Sequence, residues 1–272
     1  MISERPPTPH ELLAFYLEAG VDCALAEEPS DRLSEIEAEP APAPRRLAPL
    51  TTAPSAFSAT PQPDLAPAPD AAIESARELA PKAKTLDELR GLLEQFDGCA
   101  LKATATKLVF GDGNPQARVM FVGEAPGRDE DLQGIPFIGR SGKLLDLMLA
   151  AIGLDRTSAY IANVIPWRPP GNRDPSPQET QMCLPFIKRQ IELVAPDIVV
   201  CLGKPSSQAV LDLKDGIMRT RGRWFDYNTG SRTIRAMATF HPAYLLRQPI
   251  YKRMTWQDLR TIQAALAAGA KA

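Results

Sequence analysis

Nothing restricts this chain's fold as strongly as the alternation of short apolar runs with helical periodicity in its second half. Val119–Val122, Ala159–Ile165 and the run from Asp197 to Gly203 have strand length. The last is apolar after Asp197, as expected of a strand covered on both faces. The segments between them repeat their apolar residues at helical spacing. Leu144, Leu145, Leu147, Met148 and Ile152 follow Ser141, which reads as an N-cap. Further helices are expected at 178–194, ended by Pro196, at Lys204–Leu213 and at 251–268. Arg219–Asp226 and Thr233–Phe240 read as additional strand-like segments. Strands alternating with helices mean βαβ units, hence a three-layer α/β/α sandwich on a mainly parallel sheet of about four strands.

The folded body is expected over 83–272. Its first helix carries the capping box Thr85-Leu-Asp-Glu88 and the stripe Leu86, Leu89, Leu92, Leu93. Residues 1–26 hold a short amphipathic helix at 9–19, with Leu12, Leu13, Tyr16 and Leu17 on one face. Residues 27–82 are rich in Pro, Ala and acids and lack apolar periodicity. They read as a disordered linker, because they bury too little surface to offset chain entropy. Charge divides at the same boundary. Residues 1–82 carry 14 Asp/Glu against 6 Lys/Arg, and the remainder 19 against 25. A net of -8 thus faces a net of +6, and a basic body suits a polyanionic partner. Four cysteines without paired spacing argue against a disulfide framework. Without a long apolar run or signal-peptide pattern, the expectation is a soluble, cytoplasmic protein, and a monomer is expected.

In an open α/β sheet, ligands bind beyond the carboxyl ends of the strands. Four loops leave those ends here, bearing Glu124, Asn163, Gly203 and His241. Each polar residue admits two readings from its type alone. Asn163 either satisfies loop backbone or pairs with a base edge, since its amide both donates and accepts. His241, before a proline, is either structural or catalytic. Glu124 is either a solvated turn acid or part of the chemistry.

The spelling of these loops adds a resemblance. Gly123-Glu-Ala-Pro-Gly127, Glu130-Asp131, Gly134, Pro136-Phe137 and Gly139-Arg-Ser-Gly142 stand at fixed spacing. Ile161-Ala-Asn163, Arg168-Pro-Pro-Gly-Asn-Arg173 and His241-Pro-Ala-Tyr-Leu-Leu-Arg247 follow. Together they resemble family 4 uracil-DNA glycosylases over about Leu92 to Leu266. The resemblance implies a DNA repair enzyme that flips uracil out of DNA and hydrolyses its N-glycosidic bond, leaving an abasic site. In that frame His241 donates to the charge developing on uracil O2, and Asn163 reads the uracil edge. Phe137 stacks on the base or is a core aromatic beneath the loop. Glu124, with Glu130 as rival, places the water or stabilises the cationic sugar. Ala125 sits where better-known uracil glycosylases hold Asp. Leu245 and Leu246 either wedge into the base stack or form a turn of core helix. Arg247, Arg168, Arg173 and Lys143 are phosphate contacts or solvated charges.

The resemblance also implies a [4Fe–4S] cluster on four cysteines, and here the chain departs from the pattern. The first position of the Cys-x-x-Cys pair is Phe96, and the position before the Arg-Pro-Pro segment is Trp167. Only Cys99 and Cys183 remain, Cys201 and Cys23 being misplaced. Such clusters need about four thiolates, so no cluster and no other cofactor is expected. The rival reading is a uracil-DNA binder with little turnover. A hydrolase of free nucleotides and a scaffold working through the acidic arm stand further off.

Overall fold

The computed structural model describes residues 69–269. The expected helix at 9–19 and most of the expected linker lie outside the described residues. Among those described, no helix is long and apolar enough to cross a membrane.

Six strands form one sheet. They are β1 (Asp112–Gly113), β2 (Val119–Gly123), β3 (Tyr160–Asn163), β4 (Ile198–Leu202), β5 (Trp224–Asn228) and β6 (Thr233–Thr239). Their order is β1-β3-β2-β4-β6-β5. The four inner strands run parallel, with Met120 opposite Tyr160 and Val199, and Val200 opposite Met237. Both edge strands are antiparallel. The runs at Val119–Val122, Ala159–Ile165, Asp197–Gly203 and Thr233–Phe240 supply the parallel core, and the two antiparallel edges bring the sheet to six strands rather than about four.

Helices cover both faces. They are α1 (Pro69–Leu79), α2 (Leu86–Gln95), α3 (Leu101–Thr104), α4 (Arg128–Gln133), α5 (Arg140–Ala150), α6 (Pro177–Val194), α7 (Lys204–Leu211), α8 (Ile217–Thr220), α9 (Pro242–Arg247) and α10 (Lys252–Gly269). The period of two along each inner strand sorts its side chains between two cores. Val119, Phe121, Val200 and Leu202 join Leu145, Leu149, Leu259 and Ile262 from α5 and α10. Met120, Val122, Val199 and Cys201 join Leu89, Leu93, Phe186 and Ile191 from α2 and α6. This is the expected three-layer sandwich.

Three boundaries differ from the sequence reading. The linker does not reach residue 82, because α1 and a following 3-10 turn occupy Pro69–Lys82. Ala72, Ala76, Ala80 and Ala83 are fully buried in the core that includes α6. A stripe of alanines at i, i+4 allows close helix contact, yet it looks like low-complexity linker to a search for large apolar residues. The strand expected at Arg219–Asp226 is split, with α8 taking its start and β5 beginning at Trp224. Helix α5 starts at an N-cap Gly139 rather than Ser141. Glu130 Oε1 accepts the Gly139 N–H at 3.0 Å, so a side chain from the preceding helix does the capping. By contrast, Thr85 caps α2 as expected, accepting the Glu88 N–H. Ser176 and Glu179 form a reciprocal capping box that starts α6.

Candidate active site

The carboxyl ends of the four parallel strands open on one cavity. Glu124 follows β2, Asn163 ends β3, Gly203 follows β4, and His241 follows β6 by two residues. All four line a cleft of about 580 Å³, which also receives Ala125, Phe137 and Arg247. That volume suits one small ligand.

Gly123 explains how Phe137 and Asn163 come together. A β-carbon there would meet the Phe137 ring at 2.6 Å and collide with Asn163 Oδ1, so only glycine lets both approach the end of β2. Asn163 is 4 % exposed, and its Oδ1 is buried with no hydrogen-bond partner among the described residues. A buried acceptor without a donor is costly in the free protein and marks a place where a ligand donor fits.

His241 serves the backbone and the cleft together. Pro242 opens α9 and has no N–H, so Ala243 supplies the first amide needing a cap. The His241 Nδ1 accepts that amide at 3.1 Å. The ring proton of the neutral imidazole therefore sits on Nε2. Burial, and then the Arg247 charge, push the His241 pKa from 6.5 down to about 4, so the ring stays neutral at ordinary pH. His241 does not open another loop, as the sequence suggested, but N-caps a helix. Phe137 lies beside it, ring centroids 5.4 Å apart.

The two candidate carboxylates are in different environments. Glu130 is 7 % exposed and its oxygens are taken. Oε2 accepts the Gly127 N–H at 3.1 Å, and Oε1 accepts Ile138 and Gly139 at 3.1 and 3.0 Å. Glu130 thus shapes the loop carrying Phe137. Glu124 is partly buried on the cavity wall. Burial, and then the charge of Asp174, raise its pKa from 4.5 to about 6. Asp174 lines the same cleft and was missed in the sequence, though it directly follows the Arg-Pro-Pro-Gly-Asn-Arg segment. Lys204, Arg128 and Arg140 were missed as well. Lys204 lines the cleft at the start of α7. Arg128 and Arg140 line an adjoining depression with Leu246 and Arg247.

Not every expected contact reaches this face. Leu245 is 1 % exposed and packs in the core with Leu145 and Leu259, so its reading as a wedge is corrected. On a helix the next residue turns outward, and Leu246 is the leucine on the depression. Arg173 lines the cleft, but Glu179 takes it bidentately at 2.9 and 2.6 Å. Arg168 donates to Asn172 at 2.7 Å, and Lys143 is exposed on α5; neither is on the cavity wall.

Phe137 stands at φ 55°, a left-handed conformation that costs a residue with a β-carbon about 1–3 kcal/mol. Gly142 permits it, since a β-carbon there would collide with the Phe137 carbonyl. On the far side of the sheet, Phe96, Trp167, Cys99 and Cys183 share one core, all at most 4 % exposed. Phe96 packs on Phe186 at 5.1 Å between ring centroids.

Residues 110–260 match the family model described as the uracil DNA glycosylase superfamily. Over 183 residues the chain is 40 % identical to the type-4 uracil-DNA glycosylase of Archaeoglobus fulgidus, covering 66 % of this chain and 92 % of that protein. It is 43 % identical over 156 residues to the Thermotoga maritima protein of the same name, covering 57 % and 80 %. The Saccharolobus solfataricus protein of that name matches at 36 % over 187 residues, covering 67 % and 87 %.

Proposed function

The chain belongs to the uracil DNA glycosylase superfamily, and from that premise we infer that it is a uracil-DNA glycosylase of DNA repair. The observation that carries the assignment of roles is the Oδ1 of Asn163, buried on the cleft wall with no partner among the described residues. Uracil offers an N3–H donor to that oxygen and an O4 acceptor to the amide nitrogen. Cytosine offers the reverse pair and would set its N3 lone pair against Oδ1.

The remaining roles follow from placement. A base inside a duplex must be extruded to reach such a cleft. Leu246 and Arg247, at the rim, fill the gap and hold the backbone. Phe137 stacks on the extruded ring, an interaction worth about 1–3 kcal/mol per base. His241 Nε2–H points its donor at uracil O2, where charge collects as the glycosidic bond breaks. Glu124 carries the chemistry on the sugar side, holding water and balancing the developing positive charge. Glu130 has no free oxygen for that task and keeps the loop in shape. Ala125 offers no second carboxylate, so the enzyme leans on stabilising the departing uracil.

Uracil release from a labelled oligonucleotide tests this reading. Multiple turnovers establish an enzyme, whereas tight uracil-dependent binding without release would establish the binder instead. The pH dependence is specific. Glu124 must be ionised, and its pKa is raised to about 6, so the active form is lost as pH falls through about 6. The rate should drop about tenfold per pH unit below that point. Glu124→Gln should remove this limb, and Asp174→Asn should move it to lower pH by withdrawing a neighbouring charge.

An iron–sulfur cluster does not fit this chain. Two of the four positions where the resemblance expects thiolates are Phe96 and Trp167, buried aromatics in the core that also holds Cys99 and Cys183, which leaves two thiols where such a cluster needs about four. Cys99 and Cys183 are free thiols there and act as small apolar residues. Purified protein should be colourless with iron far below one atom per chain; stoichiometric iron would overturn this.

A further inference from the structure

The strained backbone of Phe137 is held from two sides, and one of the holders lies outside the cavity. Glu130 takes the two amides after Phe137, those of Ile138 and Gly139. The two carbonyls flanking the Phe137 Cα belong to Pro136 and Phe137 itself, and both go to Arg156. Arg156 Nη1 donates to Pro136 O at 3.1 Å, and Nη2 donates to Phe137 O. Arg156 stands in the loop between α5 and β3 and is not among the residues lining the cleft.

The guanidinium is itself fixed. Nη1 pairs with Asp112 Oδ2 at 2.6 Å, on the edge strand β1, and Nε pairs with Asp146 Oδ1 at 2.9 Å, on α5. Its side chain is only 25 % exposed. A planar fork that bonds two successive carbonyls fixes the two peptide planes on either side of one Cα. The angle between those planes is set by φ and ψ of that residue. Arg156 therefore ties the conformation of Phe137 to the sheet edge and to α5. Left-handed geometry of this kind persists only where the surroundings over-determine it. Without the fork, Phe137 relaxes toward negative φ, and its ring swings from the position beside Gly123 and His241.

We propose that Arg156 is a positioning residue for base binding, acting on the substrate solely through the Phe137 backbone. The inference rests on the uracil-excision reading, because Phe137 matters only if a base stacks on it. Stacking is present in both the bound and the reacting complex, so its loss raises KM more than it lowers kcat.

The test is a double-mutant cycle on the full chain, with uracil release from single-stranded DNA as the assay. Arg156→Ala should lower kcat/KM by about 10–100-fold, mostly through KM. Arg156→Lys, which keeps the charge but lacks the fork, should fall between it and wild type. Phe137→Ala should lose a similar factor, and Arg156→Ala with Phe137→Ala should be no worse than Phe137→Ala alone. A general structural role would instead multiply the two losses. If Arg156→Ala does not fold, the same cycle run with Arg156→Lys decides by the same non-additivity. Arg156 variants at wild-type KM, or a double variant falling by the product of the single losses, would overturn the proposal. A wild-type chain that releases no uracil removes the excision reading instead, which is a different result from an active wild type insensitive to Arg156.

Discussion

His241→Ala is expected to lower kcat for uracil release by about 10²–10³ with little change in KM, the cost of losing one donor aimed at developing charge. The geometry makes this donor neutral. Nδ1 is committed to the Ala243 amide, the proton is on Nε2, and the pKa is down at about 4. Stability needs a separate control, because the same imidazole caps α9. Loss of an N-cap costs about 1 kcal/mol, a few degrees in Tm for a domain of this size. His241→Asn separates the two roles. Asparagine caps a helix well but does not reach uracil O2, so this variant should be nearly as inactive as the alanine form while keeping the wild-type Tm. The two variants should also differ from wild type in acid. Because the folded pKa of His241 lies below its ordinary value, the unfolded chain binds the proton first. The wild type therefore loses stability as pH falls from about 6.5 to about 4, and both variants should lose less. A His241→Asn enzyme with wild-type kcat would show that the cap, not the donor, is why histidine stands here.

The central strands and their order of appearance were legible because burial on both faces leaves little choice of residue. Val119–Val122 and the run after Asp197 are apolar throughout, and both are inner strands. Edge elements gave weaker signals. β1 is two residues long and has no run to recognise, and β5, mostly half-buried or exposed, was placed only in part by the strand expected at Arg219–Asp226. The alanine face of α1 was missed for a related reason, since small residues pack a helix closely without raising its hydropathy. In the site, residues at the carboxyl ends of strands could be found from topology alone. What could not be found was the allocation of roles. Glu124 and Glu130 are both acids in the stretch between β2 and α5, and only the three amides around Glu130 tell them apart. Leu245 and Leu246 are adjacent and identical, and only the rotation of α9 sends one to the core and the other to the rim. Arg156 had no motif to announce it, because it works on carbonyl groups that every residue carries.

Asn163→Ala should bring the other large effect, and its signature is in specificity as well as rate. A site built to pair with a polar edge rejects an analogue lacking that edge by about 10⁴–10⁵, because its own buried groups are then left unpaired. Asn163 meets the structural condition. It is 4 % exposed, its Oδ1 has no partner among the described residues, and the absent Cβ of Gly123 leaves the amide room at the strand end. Wild type should therefore excise uracil and leave cytosine in the same sequence untouched. Alanine removes both the attraction for uracil and the repulsion against cytosine. Uracil excision should fall by about 10²–10³, corresponding to about 3–4 kcal/mol of lost hydrogen bonding in a dry site. The ratio of uracil to cytosine turnover should shrink as well, since the pocket then stacks either pyrimidine on Phe137 without reading its edge. Folding should not suffer, because the variant removes a buried acceptor that the protein leaves unpaired, and Tm should hold or rise slightly. A variant that loses excision together with several degrees of Tm would instead place Asn163 in the scaffold. One that keeps its rate and its discrimination would move the reading of the base to another residue of the cleft.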